Sequence, residues 1–396
     1  MCADPTPVRP RQTYQRFLKR SQGFVGIEPF NRGTRISAMS PDAFYKISQD
    51  VRNMLLAVHG KAEESCETRQ GFAGEIVFLD NGENVYPRYI AAKYPKLQED
   101  LSPGERARRF LREIELQVSA HYHPNVHWPY DVSMILNVPV AYFRRWEGDL
   151  SNYIENSSFG DLGRIGLTMQ LAAGLLHCHE RGLNHQDLKP ENVFVRDLRE
   201  SVRALPDNDL WLRPLVADFG SVNLAAEKNE FSGTRPYMAP EQWEKKPLGE
   251  WTSVFVLGII LHELMSRGEH PNGDHGGAWH RQLNPEFNRW QQNKYWRRWI
   301  NAGCTVARPL PDKNLAAIVA NCLKPDPSAR PKLADVRDRL HDALAVRSSL
   351  AADQVAIFLG MAEAQTSADE WAHIEKRIAS LRHAIESNFP EPCSPA

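Results

Sequence analysis

The sequence reads as an α+β protein in two lobes, a strand-rich first part holding one helix and a helix-rich second part, with the junction near residues 143 to 150. Three observations carry that reading. Between about 69 and 98, short β-branched and aromatic segments such as EIVFLD and YPRYIAAKY are broken by Gly, Asn and Pro, the mark of antiparallel strands. RARRFLREIELQVSA then has the apolar spacing of a helix, and residues 131 to 143 return to strand-like character. After WEGDL the helical signal dominates, beginning with LGRIGLTMQLAAGLLHCHERG, which Gly182 closes as a C′ residue.

The flanks follow the same rules. Residues 1–39, rich in Pro, Arg, Gln and Ser, read as a flexible basic tail. Residues 40–68 read as a helical extension, with Ser40 as N-cap, Pro41 at the first helical position, and Phe44, Ile47, Val51, Met54 and Val58 forming one buried stripe up to Gly60. Residues 346–396 read as a helical pair and tail, with helices over 349–364 and 368–387. Ser367 and Glu370 form a capping box for the second, and Trp371, Ile374, Ile378, Leu381 and Ile385 mark one apolar face. That face is expected to pack on the main body; a regulatory or docking partner at these helices is the alternative.

A chain of 396 residues with 42% apolar content can bury the core of a bilobal domain with flanking elements. Its 48 Lys and Arg nearly balance 49 Asp and Glu, so no global charge favours nucleic acid or an anionic membrane, and neither is expected as a partner. Cys2, Cys66, Cys178, Cys304, Cys322 and Cys393 form no CxxC pair, which argues against a disulfide framework and a cysteine zinc site. A reducing compartment fits, so a cytoplasmic location is expected; the same usage allows delivery into a host cell as an effector. The opening MCADPTPVRPRQTYQ lacks the apolar run of a secretory signal. The run VFVLGIILHELM at 254–265 is too short for a bilayer and holds His262 and Glu263, so no membrane span is expected.

Four motifs occur in order: IAAK at 90–93, HQDLKPEN at 185–192, DFG at 218–220 and MAPE at 238–241. Each alone is weak, since Asp, Asn, Pro and Lys are ordinary loop residues. In this order they resemble the signature set of the serine/threonine protein kinase family, over roughly residues 69–345, with an N-lobe at 69–143 and a C-lobe at 150–345. The resemblance implies the bilobal kinase fold, a small antiparallel-sheet lobe with one helix and a larger, mainly helical lobe. It also implies transfer of the ATP γ-phosphate to a hydroxyl of a protein substrate, with Mg²⁺.

Phosphoryl transfer is mainly positioning and neutralisation of phosphate charge, and the resemblance distributes those tasks. Asp187 is implied as the base that accepts or orients the hydroxyl proton, and Lys189 as a cation beside the moving phosphate. Asn192 and Asp218 supply the hard oxygens that Mg²⁺ prefers. Lys93 is implied to grip the α- and β-phosphates, held by a helix glutamate: Glu113 is expected, with Glu115 as competitor. RQGFAGEIV resembles the glycine-rich phosphate loop through Gly71 and Gly74, and Ile76 and Ala91 are implied beside the nucleotide. AYFRRWEGDL resembles the hinge, with Asp149 for the ribose. Thr234 is implied near Asp187, Glu241 as the partner of Arg330, and His185 as a packing residue.

The chain departs from the family at several places. Arg69 stands where the first glycine of the loop belongs, and Ser253 stands where an aspartate usually holds the catalytic loop. Gln186 replaces the arginine that pairs with a phosphorylated activation loop, so activity independent of loop phosphorylation is expected, although Ser221, Ser232 and Thr234 offer hydroxyls. Inserts at RDLRESVRALPDNDLWLR and at 267–312, with Trp279, Trp290, Trp296 and Trp299, read as local packing or substrate docking. The pairs HYH at 121–123 and HCH at 177–179 read as core or solvated histidines rather than zinc ligands. Two alternatives stay beside the enzyme reading: a nucleotide-binding pseudokinase scaffold, and a small-molecule kinase, which usually lacks the GTxxYxAPE ledge.

Overall fold

The strand signals of the first part condense into one sheet. The computed structural model describes residues 42–70, 74–83, 85, 87–200, 208–219, 233–273, 293–364 and 368–390. Among them β1 (Glu64–Gln70), β2 (Gly74–Asp80), β3 (Tyr89–Pro95), β4 (Asp131–Ile135) and β5 (Val138–Arg144) pair antiparallel in the order β1-β2-β3-β5-β4. Alternation along these strands sends side chains to two covered faces. One face carries Val77, Leu79, Ile90, Ala92, Tyr94, Val140 and Tyr142, packed with Phe44, Leu56 and Ala57 from the N-terminal extension. The other carries Val132, Ala141 and Phe143, under helix α3 (Pro103–Ser119).

The N-terminal extension differs from its expected single stripe. It forms two helices, α1 (Ala43–Lys46) and α2 (Gln49–Gly60), broken where Ile47 becomes extended and the Ser48 hydroxyl caps Val51 N. The break resets the helical phase. Phe44 is buried as expected, but Val51, Met54 and Val58 are 38%, 45% and 55% exposed, and Leu56 and Ala57 face the sheet instead. β1 begins at Glu64, inside the stretch expected to be helical. Its ESCETRQ composition carries no apolar alternation, which an edge strand paired on one side does not need.

The second part is a helical lobe, reached through residues 145–147 and the short strand β6 (Gly148–Asp149), which continues into helix α4 (Ser151–Ile154). Helix α5 (Asp161–Glu180) is buried nearly all round. It ends where Gly182 takes φ +75°, its N–H bonding His179 O and that of Leu183 bonding Cys178 O, the left-handed cap that glycine favours. β6 pairs with β7 (Val193–Asp197) and β7 with β8 (Leu212–Val216). The apolar run at 254–265 lies within helix α7 (Glu250–Ser266), in the lobe's core, after the short α6 (Pro240–Trp243). No helix among the described residues is long and apolar enough to cross a membrane.

Helices α8 (Asn293–Asn301), α9 (Lys313–Cys322) and α10 (Leu333–Arg347) complete this lobe. In the expanded 267–312 region, Trp299 is buried beside Phe255 and His270 and donates to Thr305 O; Trp279 and Trp290 lie outside the described residues. The molecule thus has a small antiparallel-sheet lobe with helix α3 and a larger, mainly helical lobe.

The C-terminal pair is α11 (Ser349–Ala364) and α12 (Ala368–Asn388). Val355 of α11 is buried in the core of the helical lobe, and Phe358 meets Trp211 edge to face at 4.7 Å. Trp211 belongs to the insert before β8, so the described part of that insert provides a seat for α11. Helix α12 crosses to the sheet lobe, where Ile374, Ile378, Leu381 and Ile385 are buried against α3 and β4. Ser367, the expected cap residue, lies outside the described residues.

Candidate active site

Lys93 sits in the middle of the sheet, opposite Ile76 of β2 and Ala141 of β5. Helix α3 starts at a capping box, Ser102 with Glu105, and Pro103 at its first position fixes the direction in which it runs. That direction brings Glu113 Oε1 to 2.5 Å from Lys93 Nζ, while Asp218 Oδ1 lies 3.8 Å from the same nitrogen. Burial pulls the Lys93 ammonium down, but the carboxylates of Glu113 and Asp218 outweigh it and hold its pKa above that of an ordinary lysine. Glu115, two residues along, leaves the helix on another side and pairs with Arg382 at 2.7 Å. The helix phase therefore separates the two glutamates: Glu113 meets the lysine and Glu115 does not.

The loop after α5 assembles the second cluster. Asp187 Oδ1 accepts the Thr234 hydroxyl proton at 2.8 Å, and Oδ2 accepts from Lys189 Nζ at 3.0 Å. Lys189 Nζ also donates to Thr234 Oγ1 at 2.9 Å. Asn192 sits in a one-turn 3₁₀ helix, Pro190–Asn192, and its amide nitrogen donates to the Asp187 carbonyl at 2.7 Å. His185 is buried; its Nε2 donates to Ala217 O at 2.8 Å, and its ring meets Phe219 edge to face at 5.6 Å. Burial lowers its pKa, which keeps it neutral and suits a packing role.

Asn192 and Asp218 are the residues that could hold a divalent ion. Ala217 N donates to Asn192 O at 2.9 Å, which ties the Asn192 turn to the residue before Asp218. With the amide nitrogen of Asn192 turned to Asp187, its side-chain oxygen is the end that could serve as a ligand; Asp218, at φ +59°, is half-exposed. Two hard oxygens in an open site fit an ion that fills its remaining positions with water and phosphate oxygens. Among the described residues no group of three His, Cys, Asp or Glu could hold a metal by itself.

The frame around the loop includes one residue that the motifs do not mark. Gln242 Nε2 donates to the carbonyl of Gln186 at 2.7 Å, and its Oε1 accepts from Ala239 N at 2.9 Å. Ser253, standing where an aspartate was expected to hold this loop, is buried in α7. Glu241 and Arg330 form a bidentate pair at 2.7 and 3.0 Å, with side chains 1% and 0% exposed. Arg330 donates further to Lys324 O, Trp251 O and Pro325 O, and Thr252 Oγ1 donates to Glu241, so the buried charges have a full set of partners.

The remaining predicted positions divide. Gly71 lies outside the described residues, and of Arg69 only the backbone, in β1, is described. Gly74 opens β2, and a Cβ there would come within 2.8 Å of Tyr94 O, so the sheet itself requires this glycine. Ile76 and Ala91 are half-buried on β2 and β3. Asp149 Oδ1 accepts from Ser151 N at 3.0 Å, capping the turn into α4. A cavity of about 470 Å³ lies elsewhere, lined by His59, Trp128, Tyr130, Asp131, Tyr142 and His373 among others, and contains none of these residues. Of the paired histidines His123 is buried, His177 and His179 are half-buried and His121 is exposed: the His123 ring lies tilted against that of His177 at 4.5 Å and accepts from Asn125 N, while His177 donates to Ala120 O. Burial depresses both, His123 to about 3.

Comparison with known proteins gives the family. The protein kinase domain family matches residues 81–340, well over half of the chain. The serine/threonine-protein kinase PkaA of Streptomyces coelicolor is 30% identical over 59% of this chain and 40% of its own length. Aurora kinase B of Drosophila melanogaster is 30% identical over 46% of this chain and 52% of its own. Testis-specific serine/threonine-protein kinase 5 of Mus musculus is 31% identical over 49% and 51%. The chain spans about half or less of the length of these curated relatives.

Proposed function

The chain belongs to the serine/threonine protein kinase family, and on that premise we propose that it transfers the γ-phosphate of ATP to a serine or threonine hydroxyl of a protein substrate, without prior phosphorylation of its own activation segment. The observation that carries the reading is the contact between Asp187 and Thr234. A hydroxyl already donates to the carboxylate that would take the proton of the incoming hydroxyl, and Lys189 bonds both groups.

In this reading Asp187 orients and deprotonates the acceptor hydroxyl, and Lys189 offsets charge on the moving phosphate. Lys93, fixed by Glu113, holds the α- and β-phosphates. Asn192 and Asp218 would hold a divalent ion, Mg²⁺ by preference for hard oxygens, which supplies charge neutralisation at the phosphates. Gly71, Gly74, Ile76, Ala91 and Asp149 are proposed around the nucleotide. Independence from segment phosphorylation is supported by Gln186, a neutral residue at the position that would pair with a phosphate, whose carbonyl is already held by Gln242. A protein substrate is favoured by Tyr237, at the docking end of the segment, whose buried hydroxyl is fixed by Glu263 at 2.9 Å.

The test is transfer of labelled γ-phosphate from ATP and Mg²⁺ to the protein itself and to a generic basic protein, comparing wild type with Asp187→Asn. Label that disappears in the variant supports the assignment. A well-folded wild type that binds ATP and incorporates nothing would instead favour the scaffold alternative.

A further inference from the structure

We propose that α12 is a built-in positioning element for the active site, clamping α3 so that Glu113 stays on Lys93 without an external partner. The proposal deepens the kinase reading and rests on it where activity is the readout.

The contacts form three layers. Ile374, Ile378, Leu381 and Ile385 of α12 share one buried cluster with Ala107, Phe110, Leu111, Ile114 and Val118 of α3. Glu115, which α12 reaches through Arg382, leaves α3 on another side from Glu113, so α12 acts on the body of the helix and not on the Lys93 contact itself. Around the cluster, Arg382 pairs with Glu115 at 2.7 Å, and Arg377 donates to Asp131 Oδ1 at 2.7 Å and Val132 O at 2.8 Å, fixing α12 to both α3 and β4. At the start of α3, Gly104 leaves room for Phe389: a Cβ on it would come within 2.9 Å of Phe389 Cβ, and Arg108 donates to Phe389 O.

Two further observations make this a clamp rather than mere coverage. α12 follows directly on α11, which the Val355 core contact and the Trp211–Phe358 ring contact anchor to the other lobe. The N-terminal extension grips α3 as well, through Asp42 with Arg106 and through Arg106 over the Tyr45 ring. Rotation of α3 away from Lys93 would have to disturb its contacts with both α12 and the N-terminal extension. With Gln186 in place of an arginine, this chain carries the ordering of its site in permanent packing. The exposed Glu115–Arg382 pair adds register more than energy, because partly solvated ion pairs are weak.

The test uses the full chain with Ile378→Asp and Leu381→Asp, read by hydrogen–deuterium exchange, transfer rate and KM for ATP. Exchange over Pro103–Ser119 should rise at least about tenfold, transfer should fall at least about tenfold and KM should increase, while exchange over α5 and α7 stays as in wild type. A synthetic peptide of residues 368–390 added to the variant should restore part of the rate. Unchanged α3 exchange and unchanged transfer overturn the proposal. If α5 and α7 also lose protection, a gentler cycle decides: Glu115→Arg and Arg382→Glu should each lower the rate about threefold and the double variant should recover it, and no recovery overturns the proposal. A wild type that transfers no phosphate sinks the kinase reading alone, and α3 exchange then decides the clamp.

Discussion

The side-chain amide of Gln242 donates to the carbonyl oxygen of Gln186 at 2.7 Å, which fixes the backbone one residue before Asp187 from the helix that follows the activation segment. Gln242→Leu would leave a buried carbonyl without its donor, at about 1–3 kcal/mol. We expect kcat to fall roughly tenfold or more, with a modest loss in Tm. Steady-state kinetics beside a thermal melt check this; an unchanged kcat would refute the role of Gln242.

The Lys93–Glu113 pair predicts a split effect. Glu113→Gln removes the charge paired with Lys93, so on the proposed roles affinity for ATP with Mg²⁺ and kcat should both drop, the latter by about 10². Calorimetric ATP titration and turnover measure the two. Retention of both would show that another carboxylate serves Lys93.

Glu241 and Arg330 are buried and fully partnered, so breaking the pair should be costly for the fold. Arg330→Ala leaves Glu241 charged and uncompensated, a loss of about 3–5 kcal/mol. Denaturant unfolding should show it, and a loss below about 1 kcal/mol would place the pair among the weak ones.

Acid should weaken the fold earlier than the carboxylates alone would. Burial lowers His127 and His270 to about 4 and His123 to about 3. In the unfolded chain each takes a proton near 6.5, in the folded chain only well below that. Stability is therefore complete above about pH 6.5 and falls as pH drops toward 4, by up to about 1.4 kcal/mol per pH unit for each histidine. His270→Gln should make the slope of stability against pH shallower between 6 and 4; an unaltered slope would mean that His270 does not contribute.

Treatment with a phosphatase before assay should leave turnover intact, because Gln186 gives a phosphorylated segment no guanidinium to pair with. Abolished turnover would contradict this.

The motifs were legible because the chemistry fixes their spacing within one loop or strand: Lys93, Asp187, Asn192 and Asp218 fall in two adjoining clusters joined by the 3.8 Å approach of Asp218 to Lys93. The choice between Glu113 and Glu115 needed the phase of α3, which neighbouring residues in a sequence do not reveal. Gln242 was not legible, since its role depends on a contact 56 positions away in the chain. The α12 stripe announced a buried face but not its address on α3. The stripe of the N-terminal extension misled because the break at Ile47 and Ser48 interrupts its period.

The packing of α12 on α3 also sets an order of events when the chain is made. Arg382 and Glu115 lie 267 positions apart, so the ribosome finishes α3 and the whole sheet long before the helix that covers them emerges. Until then the cluster that α3 shares with the sheet lacks the four apolar side chains of α12, and the surface they cover is open to a chaperone. A nascent chain that has not yet released α12 would hold every side chain proposed for catalysis and, on the clamp proposed above, would still lack the helix that steadies α3.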